Sequence, residues 1–523
     1  MWQASNIYAI CGFAAIGGGL FGFDISSMSG VLGTMAYRNF FNDPMGERQG
    51  GITASMPIGS FFGALSSSFI ADRWSRKWAI QFSCILWVIG ATFQCAANGV
   101  EMLCVGRFIA GFCVGICSAI VPVYQSEIAP KEIRGRVVSL QQWAITWGIL
   151  IQYFIQYGAA EGIGGGPEDD NQPTAAFRIP WGVQMVPGII LFFGLFFCPH
   201  SPRWLASKDR WEEAMAVLVH VHGKGNANDP RVLAQYQEIE EALRFEREQA
   251  VSSFKALTEK RVFKHYIVYI MQGAGLGSPL LTASIQYIIN VALTLPAIIY
   301  LDKWGRRWPL LLGSFGMMTW LFISGALQHA YGQPNTDETR NNSNQDVTWI
   351  VYEQQSVSIG VVACSYLFVA TFATTWGPVS WTYPAEIFPS KVRAKAVSLA
   401  TSTNWFFNTI LAFAVPPLLV NINYNMYYIF ATFNALGLIF IFLVGVETKG
   451  YTLEEMDDLF NSGVPAWRTH VKKSRLDELE REIAAGNLKV DRPVNNSVLD
   501  GDVSPDEKQV EPVGTHEENG QRV

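Results

Sequence analysis

Long apolar runs separated by short polar segments make up most of this chain. Ten stretches contain no Asp, Glu, Lys or Arg: residues 1–23, 49–71, 78–100, 108–126, 137–160, 179–202, 265–301, 308–336, 354–385 and 396–446. A helix needs ~20 mostly apolar residues to cross ~30 Å of hydrocarbon. The pattern therefore predicts an all-α protein that crosses a membrane many times.

The runs form two sets on either side of a polar insert. Six spans are expected in residues 1–200, at about 6–30, 51–71, 78–98, 102–124, 138–158 and 179–198. More are expected in residues 265–446, at about 278–301, 308–329, 352–384, 396–420 and 425–446. The insert, residues 201–264, has helical spacing at 209–221 and 233–249, which predicts short amphipathic helices. The polar tail, residues 447–523, is expected to be disordered after about Lys489.

Basic residues indicate the orientation. Basic clusters stand at alternate turns, whereas the opposite turns are acidic, Gly-rich or polar. The positive-inside rule places the basic turns, the insert and both termini in the cytosol. Asn341, in Asn-Asn-Ser, would then lie outside the cell and match a glycosylation site.

Composition narrows the function. Half of the residues are hydrophobic, 16% are charged and the net charge is −6, so a nucleic-acid partner is not expected, because phosphate neutralisation needs a basic face. The eight cysteines lie in or at the ends of apolar runs without metal-ligand spacing, which is typical of small buried side chains. No G-x-x-x-x-G-K-[ST] motif occurs. We therefore expect neither ATP-driven transport nor an enzyme, and no metal or cofactor.

Two motifs recur in the same order in the two sets of spans. Asp72-Arg-Trp-Ser-Arg-Lys-Trp78 matches Asp302-Lys-Trp-Gly-Arg-Arg-Trp308, and Glu127-Ile-Ala-Pro-Lys-Glu-Ile-Arg134 matches Glu386-Ile-Phe-Pro-Ser-Lys-Val-Arg393. Each motif stands at the expected cytosolic end of a helix. A duplicated bundle whose halves face each other is the architecture of many secondary transporters, which bind their substrate at the interface.

The motifs place acids and bases at the same level of the membrane. The acids are Asp72, Glu127, Asp302 and Glu386, and the bases are Arg76, Arg134, Arg306 and Arg393. We predict that ion pairs between helices hold the cytosolic side shut and break when it opens. The alternative is that the basic residues only set the topology, but the positive-inside rule does not require the recurring acids.

These motifs together resemble the sugar porter family of the major facilitator superfamily. In its overall sequence pattern the chain is similar to fungal monosaccharide (hexose) transporters. Further matching segments are Gly106-Arg107, Pro122-x-Tyr124-x-Ser126-Glu127, Ser201-Pro-Arg-Trp-Leu205 and Glu447-Thr-Lys-Gly450. The resemblance implies a major facilitator fold of two pseudo-symmetric six-helix bundles with cytosolic helices between them. It also implies a monomer in the lipid bilayer of the plasma membrane that moves a monosaccharide by alternating access.

An acid and a base are expected at similar depth inside the first bundle. Arg107 lies six residues past Glu101, which marks the outer edge of span four, so it is roughly 9 Å into the bilayer. Asp24 has a similar depth in span one. A carboxylate in hydrocarbon is costly unless it is paired or protonated. A change in this pairing would load or release a proton, as the resemblance implies, and the alternative is a permanent structural ion pair.

Polar and aromatic residues inside the spans are candidates for sugar binding. Sugar hydroxyls need amide partners, and the apolar faces of a sugar need an aromatic surface. The resemblance implies sugar contacts for Phe21, Gln142, Asn290, Gly377, Trp381 and Asn404. The alternative for any one amide is a hydrogen bond that holds two helices together, which is the role expected for Gln141 and Asn408. Trp376-Gly-Pro378 and Tyr383-Pro384 predict that span ten is broken.

Span seven departs from the family. Only 37 residues separate Lys264 from Asp302, whereas two crossings need ~40 residues plus a turn. With the turn at Gly273–Pro279, span seven shrinks to His265–Gln272, and roughly 20 residues are absent. The paired glutamines and the asparagine that this span normally gives to the sugar are among them. His200 and Val446 also stand where the family has Glu and Pro.

The sequence favours sugar:proton symport of a hexose such as glucose, or of xylose. Three alternatives stay open. They are a facilitative uniporter, a sugar sensor that does not transport, and a product that is inactive because span seven is shortened. The shortening would come from splicing, from misprediction of the sequence, or from a natural variant with a damaged site.

Overall fold

The computed structural model describes residues 5–487, except for residues 30, 32–33, 43, 45, 165–168, 224, 249–279, 335–348, 352–353, 389–392, 453–454, 457–465 and 469–474. The described chain is almost entirely helical, as the apolar runs predict. Its described strands, β1 (Gly332–Pro334) and β2 (Trp349–Val351), form a small antiparallel pair between two helices.

The first half of the fold is a bundle that begins near the amino terminus. Its helices are α1 (Ile7–Ser29), α2 (Met35–Phe40), α3 (Gly46–Trp74), α4 (Arg76–Cys95), α5 (Val100–Ile128), α6 (Arg134–Gly162), α7 (Ala175–Val183) and α8 (Met185–Gly194), which continues into a 3-10 turn at Leu195–Phe197. The end of α5 follows from its sequence: Ala129 is extended (φ −79°, ψ 134°) because Pro130 disfavours a helical conformation in the residue before it.

A layer of short helices follows the first half: α9 (Pro202–Ser207), α10 (Trp211–Val221) and α11 (Pro230–Glu248). Ser201 caps α9, since its Oγ accepts the Trp204 backbone N–H at 3.2 Å. Leu218 of α10 packs with Val232 and Tyr236 of α11 in a small apolar core. The structure thus confirms the two amphipathic helices predicted in the insert.

The second half resumes at α12 and ends with the tail. Its helices are α12 (Leu280–Trp304), α13 (Arg307–Tyr331), α14 (Gln355–Thr374), α15 (Trp376–Ile387), α16 (Arg393–Ile422) and α17 (Asn425–Val444). The tail contributes a 3-10 turn at Ala466–Arg468 and α18 (Arg475–Ala484).

Two spanning segments are broken next to a proline. α14 ends at Thr374 and α15 begins at Trp376, because Pro378 has no N–H for the Thr374 carbonyl and its ring collides with that carbonyl. This confirms the predicted break in span ten. Pro187 likewise has no N–H for the Val183 carbonyl, so α7 ends at Val183 and α8 begins after Gln184. The break in span six was not predicted, although Pro187 was its signal.

The surface of the bundle suits a membrane. Within the described residues, nine helical segments are long and apolar enough to cross one. α6 and α16, with 29 and 30 residues, also have the necessary length. Phe69, Phe193 and Leu312 are 69%, 60% and 62% exposed, and a continuous apolar surface of this kind is typical of contact with lipid.

Each half has its own apolar core. Trp87 and Tyr124 are buried in the first, and Leu310 and Trp376 in the second. α1 packs closely on α6 because Gly22 has no side chain: a Cβ there would collide with the Ile145 carbonyl oxygen. All eight cysteines are free, and six are buried, as predicted for small apolar side chains.

Several helices extend further than the apolar runs predict. α5, for example, covers Val100–Ile128 where residues 102–124 were expected, because the polar motifs continue the helix beyond the hydrocarbon. Three predictions lie outside the described residues: the short span seven at 265–272, glycosylation of Asn341, and disorder after Lys489.

Candidate functional site

The recurring motifs lie together at one end of the fold, which we name the motif face and define by Asp72, Glu127, Asp302 and Glu386. In the first half, Arg76 Nη1 lies 3.2 Å from Asp72 Oδ1, and its Nη2 lies 3.1 Å from Glu127 Oε1. Ser201 Oγ donates to the other oxygen of Glu127 at 2.5 Å. This network therefore joins α3, α4, α5 and the capping residue of α9.

The second half repeats this network with closer contacts. Arg306 donates to both oxygens of Glu386, at 2.7 and 2.9 Å, and to Asp302 Oδ1 at 3.0 Å. Thr448 Oγ1 donates to Glu386 at 2.7 Å, so Thr448 takes the place that Ser201 has in the first half. The Arg306 side chain is 3% exposed, and a buried bidentate guanidinium–carboxylate pair of this kind is rigid.

The eight acids and bases predicted to hold the cytosolic side shut, which we call the gate residues, divide into two groups. Asp72, Arg76 and Glu127, and likewise Asp302, Arg306 and Glu386, form ion pairs inside their own half. Arg134 Nε instead donates to the Ser126 carbonyl at 3.1 Å, and Arg393 is buried at 2% exposure. Ser201 and Thr448 were not predicted here, although they lie in the segments Ser201-Pro-Arg-Trp-Leu205 and Glu447-Thr-Lys-Gly450.

Other contacts join the two halves at the motif face. The Arg136 backbone N–H donates to Asp302 Oδ2 at 3.1 Å, and the Arg136 side chain lies 3.5 Å from the same oxygen. Ser139 Oγ and Thr382 Oγ1 are 2.9 Å apart, and Ser398 Oγ donates to the Ala64 carbonyl. The halves are therefore closed against each other at this end.

Asp24 and Arg107 meet inside the first half, as their depths predict. Arg107 Nη1 lies 3.7 Å from Asp24 Oδ1, and both residues are buried. Arg107 directs its hydrogen bonds elsewhere, to the Ile52 carbonyl at 3.1 Å and to Ser27 Oγ at 3.3 Å. Ser27 Oγ also lies 3.3 Å from Asp24 Oδ1. Among the described residues, Asp24 Oδ2 has no hydrogen-bond partner.

Four of the predicted sugar-binding residues lie in contact between the halves. Trp381 Nε1 of α15 donates to Gln142 Oε1 of α6 at 2.8 Å. The Phe21 ring is 6.2 Å from the Trp381 ring, edge to face. Gly377 lies against Gln142, since a Cβ there would be 3.4 Å from the Gln142 side chain. The cluster thus consists of the Gln142 amide and the rings of Phe21 and Trp381, and Gly377 beside them has no side chain to fill the interface.

Two further aromatic and amide positions extend this cluster. Trp405 packs edge to face on Phe21 at 4.8 Å and donates to Ser118 Oγ across the halves at 3.1 Å. Trp405 was not predicted at this site, although it follows the predicted Asn404, which is buried at 3% exposure. Asn290 bonds within its own helix, where Thr294 Oγ1 donates to it. Gln141 Nε2 donates to the Ser118 carbonyl, the helix-to-helix role expected for it. Asn408 Nδ2 instead donates to Asn404 inside α16.

The two halves differ at His200 and Glu447, which precede Ser201 and Thr448. Glu447 accepts the backbone N–H groups of Arg306 and Arg307, at 2.9 and 3.2 Å. His200 instead stacks on Trp204, with ring centres 5.7 Å apart. Burial lowers the pKa of His200 to about 4, and the nearby Lys77 and Arg210 act in the same direction. The first half therefore has a neutral ring where the second has a carboxylate.

The chain is similar to known transporters over most of its length. The sequence profile described as "Sugar (and other) transporter" matches residues 10–460. A protein of Aspergillus flavus named "MFS glucose transporter mfs1" is 61% identical, over 94% of this chain and 96% of its own. The "High-affinity glucose transporter" of Kluyveromyces lactis is 41% identical, over 89% and 87%.

A solved structure gives the same result for the fold. The proton:xylose symporter XylE, bound to 6-bromo-6-deoxy-D-glucose, matches with a TM-score of 0.75 at 26% identity, over 88% of this chain and 100% of its own. The predicted fold of two six-helix bundles is confirmed by this match.

The alignment to the A. flavus protein has 514 positions, whereas 94% of 523 residues is about 492. About 22 positions of that relative thus lack a counterpart here, which is the size of the deficit predicted at span seven.

Proposed function

Because the chain belongs to the sugar transporter family of the major facilitator superfamily, we propose that it carries a hexose, glucose in the first place, across the plasma membrane together with a proton. The observation that supports a sugar is the cluster of Phe21, Gln142, Gly377 and Trp381 between the halves. An amide offers a donor and an acceptor to neighbouring hydroxyls, and the rings cover the apolar face of a pyranose. The named relatives transport glucose.

The proposed site includes Asn290 and Asn404 on the second half. Asn404 adjoins Trp405, whose ring contacts Phe21, and its buried amide accepts from Asn408 of the same helix, so it lies at the depth of the cluster. Residues 1–200 and 265–446 would then be the two bundles, with the sugar between them. Alternating access follows, because each bundle keeps its own core while the contacts between the bundles open and close.

The proposed proton carrier is Asp24. A buried carboxylate with one oxygen lacking a donor gains a hydrogen bond by taking up a proton, provided an acceptor approaches. The charge of Arg107, 3.7 Å from Asp24, favours the ionised carboxylate, so we propose that proton uptake accompanies a movement that separates the two. The hydrogen bonds of Arg107 to Ile52 and Ser27 give it partners that do not depend on Asp24. XylE, the structural relative, is a proton symporter.

The proposed orientation places the motif face in the cytosol. Basic clusters stand on this face in both halves and in the insert, as the positive-inside rule requires for cytosolic loops. Both termini would then lie in the cytosol as well, because the described tail contacts this face at Lys131, and Tyr8, near the amino terminus, contacts it at Arg136.

The test is uptake of labelled glucose in cells that lack their own hexose transporters, with each variant normalised to its surface amount. We expect saturable uptake that an uncoupler reduces. Asp24→Asn should remove the uncoupler effect and the accumulation above the outside concentration, whereas the exposed Glu101→Gln should leave both unchanged. Saturable uptake that the uncoupler does not reduce in any variant would refute symport and establish a uniporter.

Two further arms test the sugar site and span seven. Gln142→Ala should raise KM for glucose, because it removes the amide from the interface. Gln152→Ala on the same helix should not, since Gln152 bonds the Pro180 carbonyl inside the first half. A second chain should carry about 20 inserted residues that restore span seven to full length. Uptake by the restored chain alone would show that the family function is right and that this chain is an inactive product.

A further inference from the structure

The last turn of α1 is held in place by side chains of two other helices. Ser26 and Ser27 lie in this turn, where backbone carbonyls accept donors from outside the helix. Gln156 Nε2 of α6 donates to the Ser26 carbonyl at 2.8 Å, and Trp181 Nε1 of α7 donates to the Ser27 carbonyl at 3.2 Å. The backbone of Ser27 is therefore fixed against the rest of the first half.

The hydroxyl of Ser27 contacts both Asp24 and Arg107. Its Oγ donates to the Asp24 carbonyl, three residues back in the helix, at 2.7 Å. The same oxygen accepts from Arg107 Nη1 at 3.3 Å. It also lies 3.3 Å from Asp24 Oδ1, closer than the guanidinium at 3.7 Å. All three side chains are buried, so the hydroxyl stands between the acid and the base.

A hydroxyl can serve both protonation states of a carboxyl group, which a guanidinium cannot. The guanidinium of Arg107 only donates hydrogen bonds, so it stabilises the ionised form of Asp24. The neutral acid carries an O–H that needs an acceptor, and a serine oxygen accepts two hydrogen bonds while it donates one. Because the last torsion of an aspartate side chain is soft, rotation of the carboxyl group can shorten the 3.3 Å separation from Ser27 Oγ.

The placement of the three residues on two helices determines which contact survives a movement. Ser27 and Asp24 are three residues apart on α1, so they stay neighbours in every state. Arg107 belongs to α5. A movement that separates Arg107 from Asp24 also takes this donor away from Ser27 Oγ. The serine oxygen then becomes available to the proton of the acid.

Few ionisable groups surround this contact in the part of the chain that the structure describes. Arg107 is the charged group that acts on Asp24. Tyr37 of α2 and Cys104 of α5 lie near Arg107 in turn. α6 and α7 contribute the neutral amide and indole already described. A pH dependence that changes with Ser27 therefore reports on Asp24.

We propose that Ser27 is a hydrogen-bond switch for proton coupling: its Oγ accepts from Arg107 while Asp24 is ionised, and from the Asp24 carboxyl group once that group has bound a proton. The proton comes from water on the side to which the site is open and returns to water on the other side. Apart from the O–H bond of the acid, hydrogen bonds alone are exchanged. The inference deepens the proposed function and rests on Asp24 as the proton carrier.

The test is the pH profile of glucose uptake, in cells that lack their own hexose transporters and with each variant normalised to its surface amount. Ser27→Ala removes the acceptor of the neutral acid and leaves Arg107 to turn toward the carboxylate. Half-maximal uptake should then require about tenfold more protons, a shift of about one pH unit toward acid. Ser27→Thr keeps the hydroxyl and should restore the original profile.

Ser83→Ala is the matched control. Ser83 is buried in α4 of the same half and donates to the Ile80 carbonyl at the same 2.7 Å, but its second neighbour is the Cys117 thiol. Its removal should leave the pH profile unchanged. Where Ser27→Ala does not reach the surface, Ser27→Cys replaces it. A thiol is nearly the same size and a weaker hydrogen-bonding group, so it should shift the profile in the same direction by less.

The outcomes separate this inference from the proposed function. Uptake by the original chain that an uncoupler does not reduce refutes symport, and the switch with it. If that uptake is coupled and Asp24→Asn uncouples it, an unchanged profile in Ser27→Ala or Ser27→Cys overturns the switch alone. So does a shift that Ser27→Thr fails to reverse. Where the chain takes up no glucose, the same variants are measured in the chain with span seven restored.

Discussion

A side chain at Gly135 is predicted to open the motif face. Gly135 is the second residue of α6, in the first half, and a Cβ there would collide with Arg306 Nη2 and Asp302 Oδ1 of the second half. Arg306 cannot move aside cheaply, because it is buried and held by Glu386 at 2.7 Å. Removing a guanidinium from such a pair costs about 3–5 kcal/mol. Gly135→Ala should therefore push the halves apart at the motif face.

The size of the effect follows from the contact. Overpacking by one methyl group costs about 1–3 kcal/mol in a well-packed site, and opening relieves that cost because the colliding atoms belong to different halves. Since 1.4 kcal/mol is a factor of ten, the population with an open motif face should rise by about fivefold to a hundredfold. Gly158→Ala is the matched control: it lies in the same helix with nothing within 4 Å of its Cβ.

The assay is maleimide labelling of a thiol introduced by Ser139→Cys, in the Gly135→Ala and Gly158→Ala backgrounds. This thiol lies at the contact with Thr382 between the halves, which a maleimide reaches only when the motif face opens. The labelling rate is the difference from the same chain with Ser139, because the native cysteines are also free. Both variants gain up to about 1 kcal/mol of helix propensity, so a difference between them reports the contact with Arg306. We expect faster labelling only with Gly135→Ala. Equal rates would refute the reasoning, and so would a loss of folded Gly135→Ala protein with unchanged labelling of the rest.

Three other predictions concern the turn at Ser75 and its counterpart Gly305, the ionisation of His200, and the hydrogen bond from Trp381 to Gln142. Ser75 has φ 110° where its counterpart Gly305 has φ 84°, so Ser75→Gly should stabilise by about 1 kcal/mol and Gly305→Ser should destabilise, as melting in detergent will show. Because the pKa of His200 is lowered to about 4 in the fold, the unfolded chain binds more protons between about pH 6.5 and 4. The melting temperature should fall across that window, and less so in His200→Gln. Trp381→Phe removes the donor to Gln142 and should raise KM for glucose about two- to tenfold in uptake assays.

The spans could be predicted because the membrane leaves few choices. Backbone N–H and C=O groups in hydrocarbon must be bonded within the helix, so apolar runs of about 20 residues become spanning helices. The break at Thr375 was predictable in the same way, since Pro378 removes a donor wherever it stands in a helix. These features depend on local chemistry alone.

The partners in the site could not be predicted to the same extent. The repeat predicted ion pairs for Glu127 and Glu386 at the ends of their helices, but not Ser201 and Thr448 as their second partners, because that pairing depends on how α9 and the tail return to the motif face. Trp405 was missed because its neighbour Phe21 is far away in sequence. The assignment of Asp24 to Arg107 succeeded because depth in a membrane can be counted along a helix.

The distribution of contacts explains how such a molecule can open without unfolding. The strong ion pairs at the motif face lie inside each half, as Arg76–Glu127 and Arg306–Glu386 do, and they survive any movement of one half against the other. The hydrogen bonds that join the halves there, within the described chain, are few: Asp302 with Arg136, Ser139 with Thr382, Thr382 with Gly135, and Ser398 with Ala64. At about 1 kcal/mol for each hydrogen bond, they sum to a few kcal/mol. A hydrogen-bond cost of that size is within what the differential binding of one ligand can offset.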